Sequence, residues 1–199
     1  MNPFTITARD FPSILGVSPY TSPFQCLVEK VEKNKTFFGN RMTEHGVKYE
    51  KTALQKYSEL TENVVNSKQS VRTHPIYPWI TGKIDGLTQN NCIVEVKCPW
   101  SAKTETLVTA PLIYWIQCQV YMNLVDAEVC HYVEYHVSHT DENINTLSYI
   151  AINRDRDWWT TSIPKIVRFK TEVDNYLLHG LATHPIRIAE NQWQQEIIC

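Results

Sequence analysis

The sequence predicts a single α/β (α+β) domain in which helices flank a central mixed β-sheet. Short β-branched runs that alternate with a period of two indicate strands near residues 71–77, 80–85, 93–97, 127–137 and 147–153. Apolar residues at helical spacing indicate four main helices. One begins near residue 23, and the other three cover about residues 41–60, 111–125 and 158–181. No repeat, linker or low-complexity tract is found, so we expect one domain over residues 1–199, with residues 182–199 as a tail of unassigned role.

The amino-terminal region is predicted to hold two helices separated by a turn. A short apolar helix ends at Gly16. Ser22 and Pro23 then form a helix start, because a serine side chain caps the first turn and proline fits the first helical position. We expect the lysines of this second helix, such as Lys30, to form a solvated face. Phosphate contact is the less favoured alternative.

The helix near residues 41–60 carries a glycine and a glutamate beside its apolar stripe. The stripe consists of Met42, Tyr49, Ala53, Leu54 and Tyr57. Gly46 costs roughly 1 kcal/mol relative to alanine in mid-helix, which indicates that a neighbour needs close approach there. Glu50 lies on the same side four residues later and can point towards the strands near residues 80–97. The alternative is an ordinary surface glutamate, because buried acids are rare.

Residues 82–99 are predicted to form a β-hairpin that carries charge beside the sheet core. Asp85 closes the first strand, and Asn90-Asn91 mark the turn. Glu95 and Lys97 share one face of the second strand, because strand side chains alternate. Two carboxylates and an ammonium in this position are costly unless they hold a cation or each other. The alternative is a solvated edge hairpin with a surface Glu–Lys pair.

The helix near residues 111–125 has amide side chains within its apolar face. That face is predicted to comprise Leu112, Ile116, Val120, Tyr121 and Leu124. Gln117 and Gln119 interrupt it. Amides on a packed helix can simply cap or bond loops, whereas an amide that faces a metal site can hold a phosphate or an attacking water.

Composition excludes several classes of protein. With 43% hydrophobic and 20% charged residues and no membrane-length apolar run or leader peptide, we expect a soluble, intracellular chain with no membrane partner. Six cysteines without a Cys-x-x-Cys pair argue against structural zinc, an iron–sulfur cluster or disulfides. The net charge is −2, yet residues 1–100 carry 12 Lys and Arg against 9 Asp and Glu, so the first half is the more plausible side for an anionic partner.

Taken together, the motifs resemble those of one nuclease family. Asp85, nine intervening residues and Glu95-Val96-Lys97 form the Asp…Glu-x-Lys signature of the restriction-endonuclease-like superfamily. Around it lie Ile6-Thr7-Ala8, residues 14–20, residues 45–50, Asp85-Gly86-Leu87, Cys98-Pro99, residues 114–119 and Asn153-Arg154-Asp155, in the order that the family shows. Over residues 5–180 the chain is similar to the lambda-exonuclease and YqaJ-like viral recombinase nucleases. The resemblance implies their three-layer core with a central mixed sheet.

The resemblance also implies a metal-dependent hydrolysis of DNA. One or two Mg²⁺ or Mn²⁺ ions would be held by Asp85, Glu95, the Val96 carbonyl and Glu50, since these ions prefer oxygen ligands. Lys97 would orient or deprotonate the attacking water and stabilise the transition state, and Gln117 would position that water.

The same family implies digestion of double-stranded DNA ends in the 5′-to-3′ direction. The 3′ single strands would pass to a single-strand annealing protein, in a phage- or virus-infected or prophage-bearing cell, and relatives can assemble into homo-oligomeric rings. Contacts with the DNA 5′-phosphate or backbone would come from Arg9, Ser13 and Tyr114. Arg9 replaces the serine expected after Ile6-Thr7-Ala8. Two alternatives therefore stay open, namely a structure-specific or flap endonuclease and a non-catalytic DNA-binding module.

Overall fold

Two mixed β-sheets and the helices that cover them make up the structure, a computed structural model that describes residues 4–33, 39–68, 71–100, 107–138 and 145–189. The strands are β1 (Ile6–Thr7), β2 (Val65–Asn66), β3 (Val71–Thr73), β4 (Ile80–Lys83), β5 (Gly86–Thr88), β6 (Ile93–Lys97), β7 (Val129–His136) and β8 (Thr146–Asn153). The helices are α1 (Phe11–Ile14), preceded by a 3-10 helix (Ala8–Asp10), α2 (Pro23–Glu32), α3 (Arg41–Thr61), α4 (Leu112–Val125) and α5 (Arg156–His179).

The five-stranded sheet carries a hairpin at its centre that is shorter than predicted. Its first strand is β5, which begins after Asp85, whereas the predicted first strand near residues 80–85 is β4, which belongs to the smaller sheet and pairs with β1 and β3. The strand order of the five-stranded sheet is β2-β5-β6-β7-β8, and the smaller sheet has the order β1-β4-β3. β5 and β6 are antiparallel, whereas β6 and β7 are parallel, and α4 lies between them in the chain. A parallel pair needs a crossover connection of this kind. The sheet is therefore mixed, as predicted.

α3 and α4 cover opposite faces of the five-stranded sheet. Val94 and Val96 of β6 pack in a core cluster with Leu54 of α3. Ile93, which points the other way, packs in a second cluster with Tyr121 of α4. The alternation along one strand thus separates two cores, which confirms the predicted three-layer arrangement.

A glycine allows α4 to approach the smaller sheet closely. A Cβ atom at Gly82 in β4 would lie 2.7 Å from side-chain atoms of both Leu124 and Tyr121. Such contacts are shorter than packed atoms tolerate, so a larger residue would push α4 away from the sheet. The position of the α4 side chains near the hairpin thus depends on this glycine.

None of the described helices, α4 included, is long and apolar enough to cross a membrane.

The element boundaries differ from the prediction where side chains bond the backbone. β3 ends at Thr73, short of residue 77, because the chain turns at His74, whose Nδ1 accepts the N–H groups of Ile76 and Tyr77 at 3.1 Å each. α5 begins two residues early, because the Asp155 carboxylate accepts the Trp158 N–H at 2.8 Å and caps the first turn.

Three predicted side-chain environments are wrong. Met42 is 62% exposed and Leu112 is 56% exposed, so neither belongs to a buried face. Both lie in the first turn of their helices, before the segments that pack on the sheet. Lys30 is not a solvated lysine, because its ammonium forms an ion pair with Asp10 at 2.6 Å. The partner comes from twenty residues earlier and cannot be read from helical periodicity.

Candidate active site

An open cleft of about 710 Å³ lies beyond the carboxyl end of β6. Residues from several elements line it, among them Arg9, Glu50, Asp85, Val96, Lys97, Trp100, Tyr114, Gln117 and Glu134. α3 and α4 both reach the cleft, one from each face of the sheet. Most of the predicted site residues therefore line one cleft, whereas Glu95 and Ser13 are not among its lining residues.

Asp85 lies in the short interruption between β4 and β5. The last register pair of β5 with β6 joins Gly86 to Val94, and beyond it the Asp85 carboxylate accepts the Val96 N–H at 2.9 Å. This side chain continues the connection to β6 where the strand pairing stops. It also holds the carboxylate beside the strand that carries Glu95.

Asp85 is an unusually weak acid in this setting. It is 8% exposed. Burial, followed by repulsion from Glu95, raises the pKa of Asp85 to about 7, although Lys97 and the Val96 N–H act in the opposite direction. The site therefore disfavours a second negative charge unless another cation joins it.

Glu95 and Lys97 form the ion pair that strand alternation predicts. The ammonium Nζ contacts Oε1 of Glu95 and lies 4.8 Å from the centre of the Tyr114 ring. Burial acts to lower the pKa of Lys97, but the charges of Glu95 and Asp85 outweigh it and the pKa is raised. Lys97 is therefore a cation throughout the neutral range.

The carboxylate pair fits a hard divalent cation. Glu95 is 1% exposed, and its Oε2 is buried without a hydrogen-bond partner in the described structure. A buried carboxylate oxygen of this kind is costly unless something binds it. Mg²⁺ commonly takes one or two carboxylates and keeps several waters. Asp85 and Glu95 match that requirement.

The expected convergence of three carboxylates is not found. Within the described ranges, no three His, Cys, Asp or Glu side chains are close enough together to hold a metal ion. The reason is topological, because Glu95 faces α4 whereas Glu50 belongs to α3 on the opposite face of the sheet. Glu50 nevertheless lines the same cleft. Its charge reaches Cys98 there, because burial of the Cys98 thiol, followed by repulsion from Glu50, raises the pKa of that thiol to about 12.

The two glutamines of α4 have different surroundings. Gln117 lines the cleft and donates from Nε2 to the Tyr121 hydroxyl at 2.6 Å. Gln119 instead donates to the Asn153 carbonyl at 2.9 Å and accepts the Asp155 N–H at 2.8 Å. Gln119 therefore joins α4 to the start of α5, which leaves Gln117 as the amide available to the site.

The residues expected to contact DNA are only partly brought together. Arg9 and Tyr114 line the cleft, and Tyr114 stacks on Tyr132 with 5.8 Å between the ring centres. Ser13 is buried in α1 and is not part of the cleft lining, so its contact with a 5′-phosphate stays a prediction.

Gly46 lines the cleft, and a Cβ atom at this position would have nothing within 4 Å, so no described residue uses the close approach that the glycine permits.

The buried carboxylate of Glu134, next to Lys97, was not predicted from the sequence. Glu134 pairs with Lys97 in the register of β6 and β7. Its carboxylate accepts the Tyr132 hydroxyl at 2.9 Å and lies 3.1 Å from His136 Nε2. These residues alternate along β7, so the same period of two that singled out Glu95 and Lys97 could have found them.

Solved structures share this fold at low sequence identity. An alkaline exonuclease from Laribacter hongkongensis (LHK-Exo) matches with a TM-score of 0.76 and 18% identity, over 88% of this chain and 90% of that one. Its complex with dAMP matches with a TM-score of 0.76 and 17% identity, over 89% and 91%. A phage-related exonuclease from Haemophilus somnus 129PT matches with a TM-score of 0.64 and 18% identity, over 87% and 93%.

Family membership comes from the sequence itself. A comparison with curated proteins gives no match. The family model of the YqaJ-like viral recombinase domain, however, matches residues 2–128, which include Glu50, the whole hairpin and α4. More than half of the chain is covered, and the fold agrees with the family resemblance of the motifs. The chain belongs to the YqaJ-like viral recombinase domain family.

Proposed function

We propose that the protein is a metal-dependent DNA exonuclease that hydrolyses phosphodiester bonds. The observation that carries this proposal is the Asp85–Glu95 pair. Asp85 lines an open cleft together with Lys97, and Glu95 is buried behind them, paired with Lys97 through one carboxylate oxygen and left with the other unpartnered among the described residues. The family and the exonuclease fold of the structural neighbours support the same conclusion. Buried carboxylates that need a cation are typical of metal-assisted phosphate chemistry.

Asp85 and Glu95 would hold one or two Mg²⁺ or Mn²⁺ ions, with the Val96 carbonyl and Glu50 as the further candidates. Such an ion, when bound, polarises the phosphoryl oxygen and lowers the pKa of water. The Asp85 carboxylate must be ionised for this role, and a nearby cation favours the ionised form.

The remaining side chains act on the phosphate and on water. The Lys97 ammonium stabilises negative charge that develops on the phosphate, and its raised pKa keeps it protonated for that task. The Gln117 amide, oriented by Tyr121, positions the attacking water. Arg9 at the cleft wall can pair with a phosphate through two N–H groups.

We further infer that double-stranded DNA ends are digested from the 5′ end, leaving 3′ single strands. The structural neighbour that has been solved with dAMP supports release of mononucleotides. A single-strand annealing protein and a homo-oligomeric ring are the partners that we propose, and an infected or prophage-bearing cell is the proposed setting, in keeping with a viral recombinase family.

The decisive experiment incubates the protein with Mg²⁺ and linear, nicked or closed circular DNA. Linear duplexes labelled at either 5′ or 3′ ends report the direction of digestion. We expect loss of the 5′ label as mononucleotides and no cutting of closed circles. Cutting of closed circles would support the endonuclease alternative instead. DNA binding without cleavage by the intact protein would support the non-catalytic alternative.

A further inference from the structure

A second groove, of about 470 Å³, lies beside the catalytic cleft. It is lined by Arg41, Glu44, His45, Lys48, Tyr49 and Trp100. Trp100 also lines the cleft described above, so the two depressions adjoin at this side chain. The mechanism proposed above uses none of the groove residues.

The amino-terminal half of α3 forms a ridge between the two depressions. Thr43, Gly46, Val47 and Glu50 line the cleft. Arg41, Glu44, His45 and Lys48 lie on another face of the helix and line the second groove. Residues three and four apart share a helix face, so each depression has its own stripe of α3.

The groove combines cationic and aromatic groups. Arg41 and Lys48 outnumber Glu44, the acid among its lining residues. Trp100 is 43% exposed although large aromatic side chains are mostly buried, and its ring meets the edge of His45 at 5.2 Å between centres. Lys48 lies over the Tyr49 ring, 4.9 Å from its centre, and of the two rings that of Trp100 is the more exposed.

We propose that this groove binds unpaired bases of the DNA strand that is not cleaved, an inference that rests on the nuclease function proposed above. Single strands are recognised by basic grooves with aromatic rings on which bases stack, whereas the bases of a duplex are already stacked and inaccessible. Trp100 provides the stacking surface, and Arg41 and Lys48 contact the phosphates. The groove would hold the 3′ single strand as the duplex end shortens.

The test measures binding without divalent cation, so that cleavage does not interfere. Fluorescence anisotropy compares a blunt duplex with the same duplex extended by a single-stranded thymidine 3′ tail. Loss of one stacked base corresponds to about tenfold in affinity or more. We expect wild type to prefer the tailed duplex by about that factor, and Trp100→Leu and Lys48→Ala to lose the preference.

Two matched variants serve as controls. Trp100→Phe keeps an aromatic ring and should retain most of the preference. Lys56→Ala removes an exposed lysine of the same helix that is paired with Glu59 outside the groove, and should retain all of it. Thermal melting of each variant verifies folding.

Cleavage of linear DNA in Mg²⁺ by the same wild-type preparation reports the proposed function separately. A preference that survives both Trp100→Leu and Lys48→Ala, or that wild type lacks, overturns the groove assignment even if cleavage is normal. A Trp100-dependent preference in a protein that cleaves no DNA supports the groove and overturns the nuclease proposal.

Discussion

The Val96 N–H donates a hydrogen bond of 2.9 Å to the Asp85 carboxylate, where the pairing of β5 and β6 has ended. The bond holds Asp85 against the strand that carries Glu95. It brings two carboxylates close enough for the charge of one to raise the pKa of the other. The carboxylate pair is therefore set within the segment from Asp85 to Val96, and both carboxylates are buried.

Asp85→Asn should slow cleavage strongly while preserving the fold. The amide oxygen can still accept the Val96 N–H, but the metal-binding charge is lost. Because a catalytic metal supplies several kcal/mol, we expect single-turnover rates to fall on the order of a hundredfold or more. Asp174→Asn, which removes an exposed carboxylate paired with Lys170, is the control. An equal rate in both variants would contradict the assignment.

The contribution of Asp85 to the stability of the metal-free protein should fall as pH rises from about 4 to about 7. The folded state raises the pKa of Asp85 from 3.8 to about 7, so folded Asp85 keeps its proton where the unfolded chain has lost it. That contribution is complete below the unfolded pKa and disappears as pH passes the folded one. Melting temperatures measured in a chelator across this range should therefore fall in wild type relative to those of Asp85→Asn. Identical pH profiles would show that Asp85 is not the titrating group.

Lys97→Met separates charge stabilisation from metal binding. The substitution leaves the buried Glu95 carboxylate without its cation, and breaking a buried pair costs about 3 kcal/mol in the absence of metal. Added Mg²⁺ should restore part of that stability. The cleavage rate should fall on the order of a hundredfold, because a transition-state contact is lost. Calorimetric titration should still show metal binding, and its loss would contradict the role given to Lys97.

Gln117 and Tyr121 should act as one unit. Tyr121→Phe removes the hydroxyl that accepts the Gln117 amide at 2.6 Å, so the amide loses its orientation. We expect Gln117→Leu to slow cleavage on the order of tenfold and Tyr121→Phe to slow it less. In the double variant, Tyr121→Phe should add little, because the group that it positions is gone. Fully additive rate losses would show that Tyr121 does not work through Gln117.

Glu50→Gln should affect metal binding less than Glu95→Gln. Glu50 lines the cleft from the opposite face of the sheet and is not clustered with Asp85 and Glu95. Isothermal titration with Mn²⁺ should show a loss for Glu95→Gln on the order of tenfold larger than for Glu50→Gln, since a lost direct ligand costs more than a lost remote charge. Equal losses would make Glu50 a direct ligand.

Local patterns in the sequence were enough to predict the strand face of Glu95 and Lys97, the start of α2 and the family. A period of two places Glu95 and Lys97 on one strand face, and the structure shows their ion pair. Ser22 and Pro23 begin α2 as predicted, because a cap depends only on neighbouring backbone groups. The order of the motifs along the chain also indicates the family, because that order is a property of the sequence alone.

Only the tertiary structure decided which of these side chains meet. Whether Glu50 joins the carboxylate pair depends on which face of the sheet α3 covers, and Gln119 turns from the site because Asn153 and Asp155 lie beside it. Periodicity describes one element at a time. Contacts between elements depend on packing across the sheet, and neither the partner nor the distance is encoded in the spacing of residues within a helix or strand.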